Sequence, residues 1–190
     1  MISGDLEYLM TSLPYLTFNA SEESKKAVSD CLRKYSDQGM GDLTLDRLLD
    51  IEAAKYLSRQ RTNFFKEITL DQLHKDNLVN SDLPLLAGFS RYVAGLRDEL
   101  KILRIARREA DDPIAIERLP SPIKTGNPLE EEIRILELQW DRIEALSSMH
   151  FSNFSALVAY KLKLMLLLRL WSFDQNKGYE IFVKTTNLQS

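Results

Sequence analysis

Arg97, Lys101, Arg104 and Arg108 follow one another at steps of four, three and four residues, the spacing that stacks side chains on one face of an α-helix. Asp98 and Glu99 fall off that stripe. A row of guanidinium and ammonium groups suits an acidic partner or phosphates. The same spacing also describes a solvated face with local ion pairs, each contributing only about 0.3–0.5 kcal/mol. Arg107 and Arg108 stand near the expected helix end, where the backbone dipole favours cations.

Other residue patterns with chemical potential are thin. The two histidines, His74 and His150, have no histidine or carboxylate partner in a Glu-x-x-His arrangement, so a di-iron helical bundle is disfavoured. Cys31 is the single cysteine; it reads as a small apolar helix residue more than as a nucleophile, and it excludes an intrachain disulfide. Gly39-Met40-Gly41 lacks the third glycine and the Lys-Ser/Thr of a phosphate loop. No Gly-x-Ser-x-Gly occurs. Glu130-Glu131-Glu132 form an acidic run at an expected helix start, where negative charge is favoured for structural reasons. No catalytic set, cofactor site or metal site is read from the chain, and an enzyme is the least favoured class.

The elements that must position the basic stripe are helices. The chain has 190 residues, 44% hydrophobic and 28% charged, with few glycines and prolines and a net charge of −3. That balance gives no overall attraction to nucleic acid, so any polyanion would need a local basic stripe. The acidic start Asp5-Leu6-Glu7 does not read as a signal peptide, and the apolar run Leu162 to Leu170 carries Lys163 and Arg169; it falls short of the ~20 apolar residues that span a bilayer. A reducing cytoplasmic setting is expected.

Helix punctuation predicts about eight helices. They are Asp5 to Leu13; Ser21 to Ser36; a helix capped by Asp42 with Leu45, Leu49, Tyr56 and Leu57 on one face; a short helix from the Thr69–Gln72 capping box to Val79; one from Ser81 or Asp82 to Glu109; one from Asn127 to Met149; one from Ser152 or Asn153 to Phe173; and a last one from Asp174 to Lys184. Leu13-Pro14-Tyr15-Leu16 reads as a turn with apolar anchors. Leu86, Phe89, Val93, Leu96, Leu100 and Leu103 form one narrow seam, and Leu129, Ile133, Leu136, Trp140, Ile143 and Leu146 another. The helix from Asn153 is apolar on most faces and should be central. Pro113, Pro120 and Pro122 make 111–127 a linker expected to cross a surface. It divides an N-terminal part, 1–110, from a C-terminal part, 128–190, and a core common to both is compatible with the pattern. The fold class expected is all-α, a multi-helix bundle in two related units without significant sheet.

The two parts share a faint repeat. Phe89-Ser90-x-x-Val93-Ala94 matches Phe154-Ser155-x-x-Val158-Ala159, and the same offset lays Leu103-Arg104-Ile105 on Leu168-Arg169-Leu170. A repeat of helical units points to a scaffold or coupling element more than to a catalyst. Two buried helices drawn from the same small apolar alphabet also agree by chance. If the repeat is structural, Phe89 and Phe154 should be buried in equivalent places.

Several segments carry a resemblance. Tyr8-Leu9-Met10-x-Ser12-Leu13-Pro14-Tyr15-Leu16, the block Asn127-Pro128-Leu129-Glu130-Glu131-Glu132-Ile133 with Trp140-Asp141, and Ala159-Tyr160-Lys161-Leu162-Lys163-Leu164 with Lys177-Gly178-Tyr179-Glu180-Ile181-Phe182 resemble a small bacterial family of unassigned function. That family is typically encoded within V-type ATP synthase operons. Tyr160, Leu168-Arg169 and Lys177-Gly178, with Leu96-Arg97 and Leu103-Arg104 in the first half, are also similar to the helical socket that links the rotor stalk to the membrane ring in archaeal-type and eukaryotic V-type ATPases. The resemblance implies a non-catalytic helical subunit or accessory factor that couples or assembles the central stalk and the membrane ring of an ion-transporting ATPase. Its partners would be stalk and ring subunits, with no nucleic acid and only an indirect membrane contact on the inner face. Arg104 and Arg169 are then candidates for partner contacts or for holding the units together. The other reading is a free-standing helical adaptor for a different partner.

Overall fold

Ser21, Ser58, Asn127 and Asn153 each begin a helix by accepting a hydrogen bond from the backbone N–H two or three residues on, which satisfies a donor the helix itself cannot. In the computed structural model, which describes residues 4–34, 43–109, 119, 123 and 127–173, eight α-helices result. They are α1 (Gly4–Ser12), α2 (Glu22–Arg33), α3 (Leu45–Ala54), α4 (Arg59–Glu67), α5 (Asp76–Val79), α6 (Pro84–Glu109), α7 (Pro128–Ser147) and α8 (Phe154–Trp171). The protein is all-α, with no strand among the described residues.

Two elements differ from the sequence expectation. The helix anticipated through Tyr56 and Leu57 ends at Ala54, turns, and restarts as α4 with Ser58 as its cap. A serine hydroxyl that bonds to the backbone of Arg61 competes with helix continuation. Thr69 makes no capping hydrogen bond; Leu70–Gln72 is a single 3-10 turn, and the helix begins later, at Asp76. The Asp42 cap, the Gly39–Gly41 break and the helix expected from Asp174 to Lys184 lie outside the described residues.

The three long helices form an antiparallel array. A β-carbon at Gly88, early in α6, would stand 3.3 Å from Leu146 Cδ2, late in α7. Arg107, late in α6, pairs with Glu131, early in α7, at 2.7 Å. Glu132 and Glu144 of α7 pair with Arg169 and Lys163 of α8 at 3.2 and 2.7 Å. Helices α6 and α8 therefore run parallel to each other and antiparallel to α7, and they also touch one another. Helices α1 and α3 close on α8 as well, so α8 is buried on nearly every face, as its almost uniform apolarity demands.

The main core draws on every helix from Leu9 to Leu170. A smaller cluster sets Leu96, Leu100 and Leu103 against Ile135, Leu119 and Ile123. Two side chains of the proline-containing segment are thus buried on α6, where Arg107 also donates to the Ile123 carbonyl. Every member of the α6 seam is buried. Phe89 is fully buried inside α6, whereas Phe154 is the first residue of α8 and only half-buried. Its ring leans on Phe64 and Phe65, with centroids 6.3 Å away in both cases. The two phenylalanines do not occupy equivalent places, because the matching segment starts a full turn deeper in α6 than in α8.

Candidate partner-binding site

Because α6 and α8 run the same way, their Leu-Arg ends reach the same end of the array. Arg97, Lys101, Arg104 and Arg108 of α6 and Arg169 of α8 line one open groove of about 790 Å³. All five side chains are exposed. Arg169 pairs with Glu132. The other four have no ion-pair or hydrogen-bond partner among the described residues. Between the charges lies an apolar floor made by Val93, Leu96 and Leu100 of α6 with Ile135 and Leu136 of α7. Ile105, 40% exposed, stands on the rim.

The acidic run of α7 is used close by. Glu131 is engaged by Arg107 and Glu132 by Arg169, so these carboxylates join helices in addition to sitting in a favourable first turn. His74 is exposed. His150 Nδ1 lies 3.0 Å from Asn153 Nδ2 beside the α8 cap. The Cys31 thiol is half-buried against the Ser12 carbonyl at 3.8 Å.

A second surface was not anticipated from the sequence. Tyr15, Met149 and Phe151 are the most exposed large apolar side chains among the described residues, at 86%, 83% and 80%. Tyr15, between α1 and α2, and Phe151, between α7 and α8, border the same shallow depression. The Tyr160 hydroxyl donates to the Pro14 carbonyl at 2.9 Å, which holds the first turn against α8. Within that turn Leu13 and Leu16 are the buried anchors and Tyr15 points away. A turn motif does not reveal which apolar residue faces water.

The third feature is a buried ion pair. Lys161 Nζ in α8 donates to Asp50 Oδ1 of α3 at 2.7 Å and to the Phe65 carbonyl of α4 at 2.6 Å. It also lies 4.5 Å from the centre of the Phe65 ring. Burial pushes the Asp50 carboxyl up and the Lys161 ammonium down, each against the pull of the other. The available signal was a lysine inside a leucine-rich run; nothing local marked Asp50 as its partner.

No helix among the described residues is long and apolar enough to cross a membrane. The chain matches no family model, no curated protein and no solved structure.

Proposed function

We propose that this protein is a non-catalytic helical accessory subunit of a V/A-type ATPase that ties together two partners on the central stalk and the membrane ring. The observation that carries the reading is the placement of two dissimilar surfaces on one rigid element. The basic groove lies at the C-terminal end of α8, through Arg169, and the aromatic surface lies at its N-terminal end, beside Phe151. Eighteen helical residues separate these ends by about 27 Å. A buried helix packed against α1, α3, α6 and α7 suits a coupling element, because its neighbours oppose its bending. The ATPase assignment itself rests on the family resemblance of three segments, around Tyr8–Leu16, Asn127–Asp141 and Ala159–Phe182.

Affinity purification of the tagged protein from gently solubilised membranes is the test. Rotor-stalk and ring subunits should accompany it. The double substitution Arg104→Glu/Arg169→Glu should release one partner set and Tyr15→Ser/Phe151→Ser the other. A purification that brings down only proteins unrelated to the ATPase overturns the assignment in favour of a free-standing adaptor with the same two surfaces.

A further inference from the structure

The groove has a charge that the rest of the molecule opposes. Five cations face two carboxylates, Asp71 and Glu132, for a local excess of +3 in a chain of net charge −3. Arg97 and Lys101 are four residues apart, as are Arg104 and Arg108, and Lys101 and Arg104 are three apart. Like charges at these spacings repel one another on a helix. Asp71 and Glu132 offset only part of that repulsion, and a ligand of opposite charge would relieve the rest.

The rest of the lining says what kind. Leu96, Leu100, Ile135 and Leu136, each 3–8% exposed, form an apolar floor beneath these charges. Small anions and phosphate chains gain nothing from such a floor. Single-stranded nucleic acid is read largely by aromatic stacking, and the lining has no aromatic side chain. A helix with one apolar stripe flanked by carboxylates satisfies both features at once. From Val93 to Arg108 the groove follows α6 for about 22 Å at ~1.5 Å per residue, the length of a partner helix of about four turns.

We infer that the groove binds an acidic amphipathic helix of a partner protein, with apolar residues on the Leu100–Ile135 floor and carboxylates against Arg97, Lys101, Arg104 and Arg108 on one side and Arg169 on the other. The inference rests on the assignment of this groove as a partner site. It adds the chemistry of the occupant.

The test uses the full chain and fluorescence anisotropy with four labelled probes of about 16 residues or nucleotides, enough for four helical turns. They are a Leu/Glu/Ala peptide with leucines at i, i+3, i+4 and i+7, a scramble of the same composition, oligoglutamate, and single-stranded RNA. The amphipathic peptide should bind at least about tenfold tighter than the other three, since each tenfold reflects ~1.4 kcal/mol from burying the apolar stripe. Arg97→Glu/Arg104→Glu should remove this binding and leave the circular-dichroism spectrum unchanged, both side chains being exposed. Equal affinity for the scramble or oligoglutamate overturns the inference in favour of charge attraction alone. Tighter binding of RNA, or no binding of the peptide, overturns it as well. The scramble comparison does not depend on any variant folding. A chain that binds the peptide but never accompanies ATPase subunits keeps this inference and loses the functional assignment; the reverse result does the opposite.

Discussion

Lys161 and Asp50 show what a single pair of residues can impose. Both side chains are almost wholly buried, at 2% and 5% exposure, and desolvation works against each charge. The geometry offsets part of this cost because the ammonium has three acceptors or near-acceptors: a carboxylate, a carbonyl and a ring face. Removing one partner strands the other. Lys161→Met is expected to lower stability by about 3–5 kcal/mol in chemical denaturation at neutral pH, whereas Lys161→Met with Asp50→Leu should be close to neutral or stabilising. The sign with pH follows from Asp50. In the single variant its carboxyl has lost the lysine and keeps only burial, so its folded-state pKa rises further above the ordinary 3.8. The folded variant then holds a proton that the unfolded chain has released. Its deficit should be largest above that raised value and shrink as pH falls through it toward 3.8. A deficit independent of pH would mean that packing, not charge, carries the loss.

At the scale of elements, punctuation residues set where helices start and the long-range bonds set how they dock. The Asn153 carboxamide accepts from the Ala156 N–H at 2.9 Å and is one of the two caps, with Ser152, that the sequence offers. Asn153→Ala should cost about 1 kcal/mol in denaturant titration. Tyr160→Phe removes the donor to Pro14 O and should cost a similar ~1 kcal/mol. The two differ in kind. The cap acts within α8, while the tyrosine ties the α1–α2 turn to it, so Tyr160→Phe should speed hydrogen exchange at the backbone of residues 13–18 and Asn153→Ala should not. Uniform protection in both variants would contradict that division. The capping box at Thr69 fails for a reason outside its own pattern. Leu73 and Ile68 are both fully buried, and packing them fixes a 3-10 turn where the local residues alone favour a longer helix.

Across the whole molecule, the groove is a liability that the fold retains. Lys101→Gln with Arg104→Gln removes every like-charged neighbour pair of the stripe. At low ionic strength this should raise the thermal midpoint by about 2–4 °C, from roughly 0.2–0.5 kcal/mol for each of the relieved pairs. The gain should fade in high salt, where the wild-type repulsion is already screened. A lowered midpoint would instead make these cations structural. The same scale gives the repeat its meaning. Its phenylalanines are not equivalent, but the parallel course of α6 and α8 carries the Leu-Arg ends of both copies to one groove, where Arg104 and Arg169 face a common space.

Period and punctuation in the chain determined the all-α class, the buried α6 seam, the centrality of α8 and the caps at Ser21 and Asn127, because each depends on interactions within a few residues or on a helix burying its apolar face. The basic stripe was also legible, since residues three and four apart share a face on any helix. Three things were decided only by tertiary structure: that Arg169 joins that stripe, that Lys161 finds Asp50 across 111 positions of sequence, and that Tyr15 and Phe151 share one exposed surface. Each joins residues remote in sequence, and the direction in which helices pack, set by summed burial over the whole core, is what brings them together.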